Sequence, residues 1–167
     1  MMISALVAGS CVSEKQAQGD FKYSDERFAD LQMLRYKVEG FENLSLKQKT
    51  FIYYLQEAAL WGRDILWDQN GKYNLRIRKV LEDIYLQYDG DKQDKDYLGF
   101  ETYLKRTWFS NGIHHHYGSE KFVPEFRETW FREAIQKYNI QCEDLDELCN
   151  VIFNPDILQK RVNLAEG

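Results

Sequence analysis

The chain has 167 residues, enough for one domain or for part of a larger one, and 44% of them are hydrophobic, enough to fill a core. A net charge of −5 without a dominant basic cluster disfavours nucleic acid as a partner. Only 2 prolines and 10 glycines occur, and this scarcity favours long helices over a many-turned β architecture. These features predict an all-α fold.

The first twenty residues differ in composition from the rest of the chain. Residues 1–10 are apolar or small, Cys11 follows, and polar residues come directly after it. This order resembles the end of a bacterial lipoprotein signal, in which the cysteine is lipidated, and predicts a periplasmic or membrane-anchored protein. The run is too short to span a bilayer and lacks a basic start. The alternative is a disordered tail with an ordinary thiol in a cytoplasmic protein. In either case residues 1–20 are excluded from the fold prediction as a truncated, signal-like tail.

Helical spacing begins soon after this tail. The first helix is predicted from Ser24 to about Arg35, because Phe28, Leu31 and Leu34 recur on one helical face. We expect residues 21–167 to form one helical segment, an incomplete portion of a larger domain.

The second predicted helix has the clearest start. Ser45 can accept a hydrogen bond from the backbone while Gln48 reaches back to the backbone of Ser45, which is the reciprocal pattern of a capping box. Apolar and small residues follow at spacings of three and four, and this stripe is predicted to face the core: Ile52, Leu55, Ala59, Gly62 and Leu66.

Further helices are predicted over about residues 74–88 and 95–109, from near Pro124 onward, and over about residues 143–151. The first three of these have apolar stripes: Ile77, Leu81, Ile84 and Tyr88; Tyr97, Phe100, Leu104 and Trp108; Phe126, Trp130, Ala134 and Tyr138.

All 3 histidines are consecutive, at His114, His115 and His116. Adjacent side chains point about 100° apart on a helix and to opposite faces on a strand, so such a run does not easily bind one ion. We predict no catalytic and no metal-binding residue in this chain. The surrounding segment, residues 108–124, is rich in aromatic and hydrogen-bonding groups. It is predicted either to line a cleft or to be a buried connection whose rings fill the core.

Several stretches resemble a known family. These are FADLQMLRY at residues 28–36, YYLQEAALWGRDI at residues 53–65, DQNGKYNLRIR at residues 68–78, and FSNG, YG and KFVP within residues 109–124. In order and in spacing they resemble the start of bacterial members of the dipeptidyl peptidase III family. The similarity runs from about Phe21 to the last residue.

The resemblance implies a zinc exopeptidase that removes dipeptides from the amino ends of oligopeptides, with a two-lobed fold around a wide cleft. In that family two histidines of an H-E-x-x-x-H helix and a later glutamate bind the zinc. This sequence has none of these elements, and the family places them well downstream. The resemblance therefore implies an amino-terminal fragment that is inactive alone. Its cofactor, zinc, would be bound by residues beyond this chain, in the remainder of the same polypeptide.

The resemblance also implies where substrate binds. Tyr117 and Gly118 correspond to a pair that lines the pocket for the second residue of the peptide, and Asn111 is a further candidate. No family role is assigned to the histidine run. The alternative function is a non-catalytic helical binding module, or a lipoprotein, that kept the fold and lost the enzyme.

Overall fold

The computed structural model describes residues 21–160, so the predicted lipidation of Cys11 lies outside the described residues. The chain divides into two compact units, the first ending at Glu42 and the second beginning at Asn43. Within the described part of the chain, no helix is both long enough and apolar enough to cross a membrane.

The first unit contains a β-hairpin where the first helix was predicted, and that prediction is wrong. Strand β1 (Ser24–Phe28) pairs antiparallel with β2 (Leu31–Leu34). Ala29, in the turn, has a φ of 48°, and L-residues do not continue a right-handed helix through this conformation. The Gln32 amide donates to the carbonyl oxygen of Asp25 at 3.3 Å and adds a side-chain link across the hairpin.

The second unit is helical. The described residues are therefore mostly helical, as predicted, but the hairpin in the first unit means that the fold is not all-α. A short 3-10 turn, Phe41–Asn43, spans the boundary between the units. Six α-helices follow within residues 44–160: α1 (Leu46–Trp61), α2 (Arg63–Asn70), α3 (Asn74–Gln87), α4 (Lys95–Ser110), α5 (Glu128–Lys137) and α6 (Leu145–Phe153).

The core of this unit is built by α3 to α6. The stripes predicted for α3 and α4 are confirmed, since Ile77, Leu81, Ile84, Tyr97, Phe100 and Leu104 are all buried. Aromatic rings fill the centre: the Phe100 ring centroid lies 5.3 Å from that of Trp130 and 5.7 Å from that of Phe126. Large buried rings of this kind contribute much of the apolar area that stabilises a small helical domain.

Helix α1 begins as predicted, but it does not bury the predicted stripe. The Ser45 amide donates to Gln48 Oε1 at 2.9 Å, and the Gln48 amide donates to Ser45 Oγ at 3.3 Å, which confirms the capping box. No residue of α1 is buried, however, and Ile52 and Leu55 are exposed. Apolar residues occupy most of the helix circumference, so no single face is marked for the core.

Helix α5 begins later than Pro124, so the predicted start is wrong. Arg127 precedes the helix as its N-cap residue, and its backbone N–H donates to Asp96 Oδ1 at 2.9 Å. The start of α5 is therefore fixed by a tertiary hydrogen bond that a side chain of α4 accepts, rather than by the local sequence.

Candidate functional site

The predicted site segment forms a loop, Asn111–Phe122, that we call the histidine loop. Asn111 ends α4 with a φ of 51°, a left-handed conformation that asparagine tolerates better than most residues. Ile113 and Phe122 are buried, and the Phe122 amide donates to the Ile113 carbonyl oxygen at 2.8 Å. The base of the loop is thus fastened to the core, and its tip lies outside.

The tip of the loop is shaped by His115. Its Nδ1 atom accepts hydrogen bonds from the backbone N–H groups of Tyr117 at 3.2 Å and Gly118 at 3.0 Å. The His115 amide donates to the Glu120 carbonyl oxygen at 2.7 Å. The side chain of Tyr117 is 85% exposed. The two interpretations of this segment therefore apply to different parts of it, because the base fills the core and the tip presents an aromatic ring to solvent.

Replacing His115 by alanine is expected to loosen the tip. The change removes the acceptor of two amides, and one net hydrogen bond contributes about 1 kcal/mol, so amide hydrogen exchange at Tyr117 and Gly118 should quicken by about fivefold. Val123→Ala is the matched control, since Val123 follows the loop and its side chain is exposed. Unchanged exchange in the His115 variant would show that this ring does not order the tip.

Two residues of the loop bind the turn that follows α6. His114 Nε2 lies 2.6 Å from the Leu158 carbonyl oxygen, and Lys121 Nζ donates to the carbonyl oxygens of Asn154 at 2.6 Å and Ile157 at 3.0 Å. Burial lowers the pKa of both His114 and Lys121. These contacts join the loop to the segment that follows α6.

A polar pocket of about 190 Å³ lies between the histidine loop and the start of α3. Asn111 lines this pocket together with the three histidines, while Tyr117 and Gly118 are not among its lining residues. The structure therefore places the three predicted substrate-binding residues in one loop but at two different surfaces of it.

Asn74, at the start of α3, is a pocket residue that the site prediction missed. Only 2% of it is exposed, and its Oδ1 atom accepts from the Ile113 amide at 3.3 Å. Its Nδ2 group has no hydrogen-bond partner, and neither has the Nδ1 atom of His114. The only sequence signal was the position of Asn74 directly after a glycine-containing turn, which marks a helix start but not a site.

The three imidazole rings have different surroundings. His114 faces the Leu158 carbonyl, His115 accepts from the tip of its own loop, and His116 lies edge-to-face with Phe109 at 4.9 Å between ring centroids. Across residues 21–160, no three histidine, cysteine, aspartate or glutamate side chains are grouped closely enough to hold a metal ion.

No protein-family model matches the chain. No curated protein matches it either.

Proposed function

We propose that this chain is the amino-terminal portion of a zinc-dependent dipeptidyl peptidase that removes dipeptides from the amino ends of oligopeptides. In this proposal the chain supplies helical scaffold and one wall of the peptide cleft. The zinc and its ligands belong to the remainder of the polypeptide. Such a chain is inactive alone, because a zinc hydrolase needs the metal to activate the attacking water.

The observation that carries the proposal is the histidine loop. It includes the sequence that resembles the peptidase family, and it presents the exposed ring of Tyr117 on a backbone fixed by hydrogen bonds. An exposed aromatic ring on a hydrogen-bonded backbone suits an extended peptide, because the ring can pack on the side chains of the peptide. The comparisons do not support the family. The proposal therefore rests on this geometry and on the stretches of sequence that resemble the family.

A second feature supports a missing partner surface. Helices α1 and α2 carry many exposed apolar side chains, and Trp61 at the end of α1 is 89% exposed. Soluble monomers rarely expose apolar surface on this scale. A set of them, here called the α1–α2 surface, consists of Phe51, Ile52, Tyr53, Tyr54, Leu55, Leu60, Trp61, Ile65 and Leu66. In the proposal the remainder of the polypeptide covers it.

The isolated 167-residue chain is expected to self-associate through the α1–α2 surface. A double variant, Tyr54→Lys with Trp61→Lys, should shift the chain toward monomer in sedimentation velocity, because two charges are hard to bury in an apolar contact. Leu86→Lys is the matched control, since Leu86 is 78% exposed on α3, outside this surface. A chain that is monomeric without any substitution, and that unfolds cooperatively, would instead favour the alternative, a helical binding module.

Replacing Tyr117 by alanine in the complete peptidase is expected to lower kcat/KM for dipeptide release by about tenfold, the loss of about 1.4 kcal/mol of binding from one ring contact. Val123→Ala, at another exposed position close by, should leave kcat/KM unchanged. An unchanged rate in the Tyr117 variant would remove this residue from the pocket.

The proposed family can be tested with evidence that does not involve the histidine loop. The coding sequence after Gly167 should contain an H-E-x-x-x-H helix, and the complete protein should bind one zinc ion per chain. Stoichiometric zinc and dipeptide release by the 167-residue chain alone would contradict the proposal. Lipidation of Cys11, and with it attachment to a membrane, stays a prediction that mass spectrometry of the exported protein can check.

A further inference from the structure

The polar pocket contains two buried groups whose hydrogen-bonding capacity is unused. Asn74 Nδ2 is a donor without an acceptor, and His114 Nδ1 is without a partner. Buried polar atoms are nearly always paired, and an unpaired one destabilises a fold by about 1–3 kcal/mol. Two unpaired atoms on residues of one pocket therefore indicate a site that is completed by something else.

The position of Asn74 is set by its neighbours, which place the Nδ2 group beside Gly112. The Oδ1 atom accepts a hydrogen bond from the Ile113 amide at 3.3 Å. This bond distinguishes the two ends of the side-chain amide, so the unpaired end is Nδ2. A Cβ atom on Gly112, which also lines the pocket, would lie 2.4 Å from Asn74 Nδ2. The absence of a side chain on Gly112 thus leaves the room in which this N–H group lies.

The chemical state of His114 follows from its other nitrogen. The Nε2 atom lies 2.6 Å from a carbonyl oxygen of Leu158, which can only accept, so Nε2 carries the hydrogen. Burial is the main cause that lowers the pKa of His114; the Leu158 hydrogen bond opposes it, and Lys160 and Lys121 add to it. The ring is therefore neutral near pH 7, and Nδ1 presents a lone pair.

Asn74 and His114 line the same pocket, and a donor together with an acceptor matches one chemical group. We propose that the polar pocket binds a peptide amide, with Asn74 Nδ2 donating to the amide oxygen and His114 Nδ1 accepting from an amide N–H. A carboxylate satisfies Asn74 and the Lys160 ammonium but meets the lone pair of His114, which repels it. A cation meets the N–H groups of Asn74. A neutral amide satisfies both, and a volume of about 190 Å³ holds a peptide unit with its flanking carbons.

The choice of a peptide as the natural ligand rests on the proposed function, whereas the hydrogen-bonding pattern does not. Both atoms are covered by neighbouring groups, so a ligand must displace those groups while the hydrogen bonds of Asn74 to Ile113 and of His114 to Leu158 stay in place. A direct reading of these two groups is therefore the sharpest test.

The test uses N-acetylglycinamide as the probe and the isotope-labelled 167-residue chain. We expect saturable shifts of the His114 ring nitrogens and of the Asn74 side-chain amide in nuclear magnetic resonance spectra. N,N-dimethylacetamide, which has a carbonyl but no N–H, and acetate, which has no N–H and carries a charge, should each bind about tenfold more weakly, since each leaves one group unpaired.

A variant separates binding in the pocket from binding elsewhere. His114→Leu has a side chain of similar size but no lone pair to accept the amide N–H, so binding of the probe should weaken by about tenfold. Val123→Ala, exposed and outside the pocket, should bind like the unchanged chain.

Three results would overturn the proposal: no saturable shift at His114 and Asn74, equal binding by the His114 variant, or tighter binding of acetate than of the amide. None of them depends on catalysis. An amide that binds to a chain whose complete protein has no peptidase activity would reject the proposed function alone. A complete peptidase whose pocket ignores the probe would reject the pocket alone.

Discussion

Replacing Gly99 by alanine is expected to destabilise the second unit by about 2 kcal/mol, although alanine is the better helix former by about 1 kcal/mol. Gly99 lies buried within α4, against the backbone that leads into α5. A Cβ atom there would lie 2.6 Å from the Glu125 carbonyl oxygen and 2.7 Å from its carbonyl carbon. Backbone atoms cannot turn away as a side chain can, so α4 and the segment before α5 must separate.

Urea denaturation of the unchanged and variant chains measures this loss. If the two unfolding transitions have the same dependence on urea concentration, the difference between their midpoints reports the change in stability. Gly62→Ala is the matched control. Its nearest neighbour, the Ala59 carbonyl oxygen, would lie 3.5 Å from the new Cβ, and its φ of −82° suits any residue. We expect that variant to be neutral or slightly stabilised. A Gly99 variant as stable as the unchanged chain would mean that the two segments are not tightly packed.

Sequence reasoning succeeded where local rules and burial agree. The capping box at Ser45 is a local pattern, and it forms as predicted. The stripes of α3 and α4 are buried because each helix has its apolar residues on one face and polar residues opposite. The apolar face therefore packs into the core.

It failed where the decision depends on distant contacts. The spacing of Phe28, Leu31 and Leu34 fits a helix, yet the same residues form a hairpin whose turn requires a left-handed Ala29. Short segments of ambiguous spacing are decided by what they pair with, and no pattern within twelve residues contains that information. The burial of the α1 stripe was predicted wrongly for the same reason, since an apolar pattern does not identify the surface that packs against it.

The candidate site shows the same division. The sequence located the histidine loop as irregular, aromatic backbone between two helices, and Asn111 lies at the pocket. It could not predict the unpaired atoms of Asn74 and His114, because a missing hydrogen bond is a property of three-dimensional neighbours. Asn74 is 39 residues from Ile113, the residue that fixes its orientation.

Replacing Asp96 by alanine is expected to destabilise the second unit by about 2 kcal/mol at pH 7, because this carboxylate in α4 holds the start of α5. It lies in the first turn of α4, where the helix dipole favours a negative charge. It also accepts from the Arg127 backbone at 2.9 Å and from the Arg127 guanidinium at 2.6 Å, before α5. The Arg127 side chain is 72% exposed, so solvent screens the ion pair and the bond to the backbone contributes most.

The effect of Asp96 should depend on pH in a defined direction. Hydrogen bonds from Arg127, its side chain first, hold the pKa of Asp96 below its ordinary value. A lowered folded-state pKa adds stability above the unfolded pKa of about 4, and this stability is lost as the pH falls through the folded pKa. The difference in unfolding free energy between the unchanged chain and the Asp96→Ala variant should therefore shrink on acidification from about pH 5. Asp146→Asn is the control, because Asp146 is 89% exposed in its pair with Arg132 and its loss should change stability little. An Asp96 variant whose deficit stayed constant from neutral to acid pH would show that the carboxylate charge plays no part in joining α4 to α5.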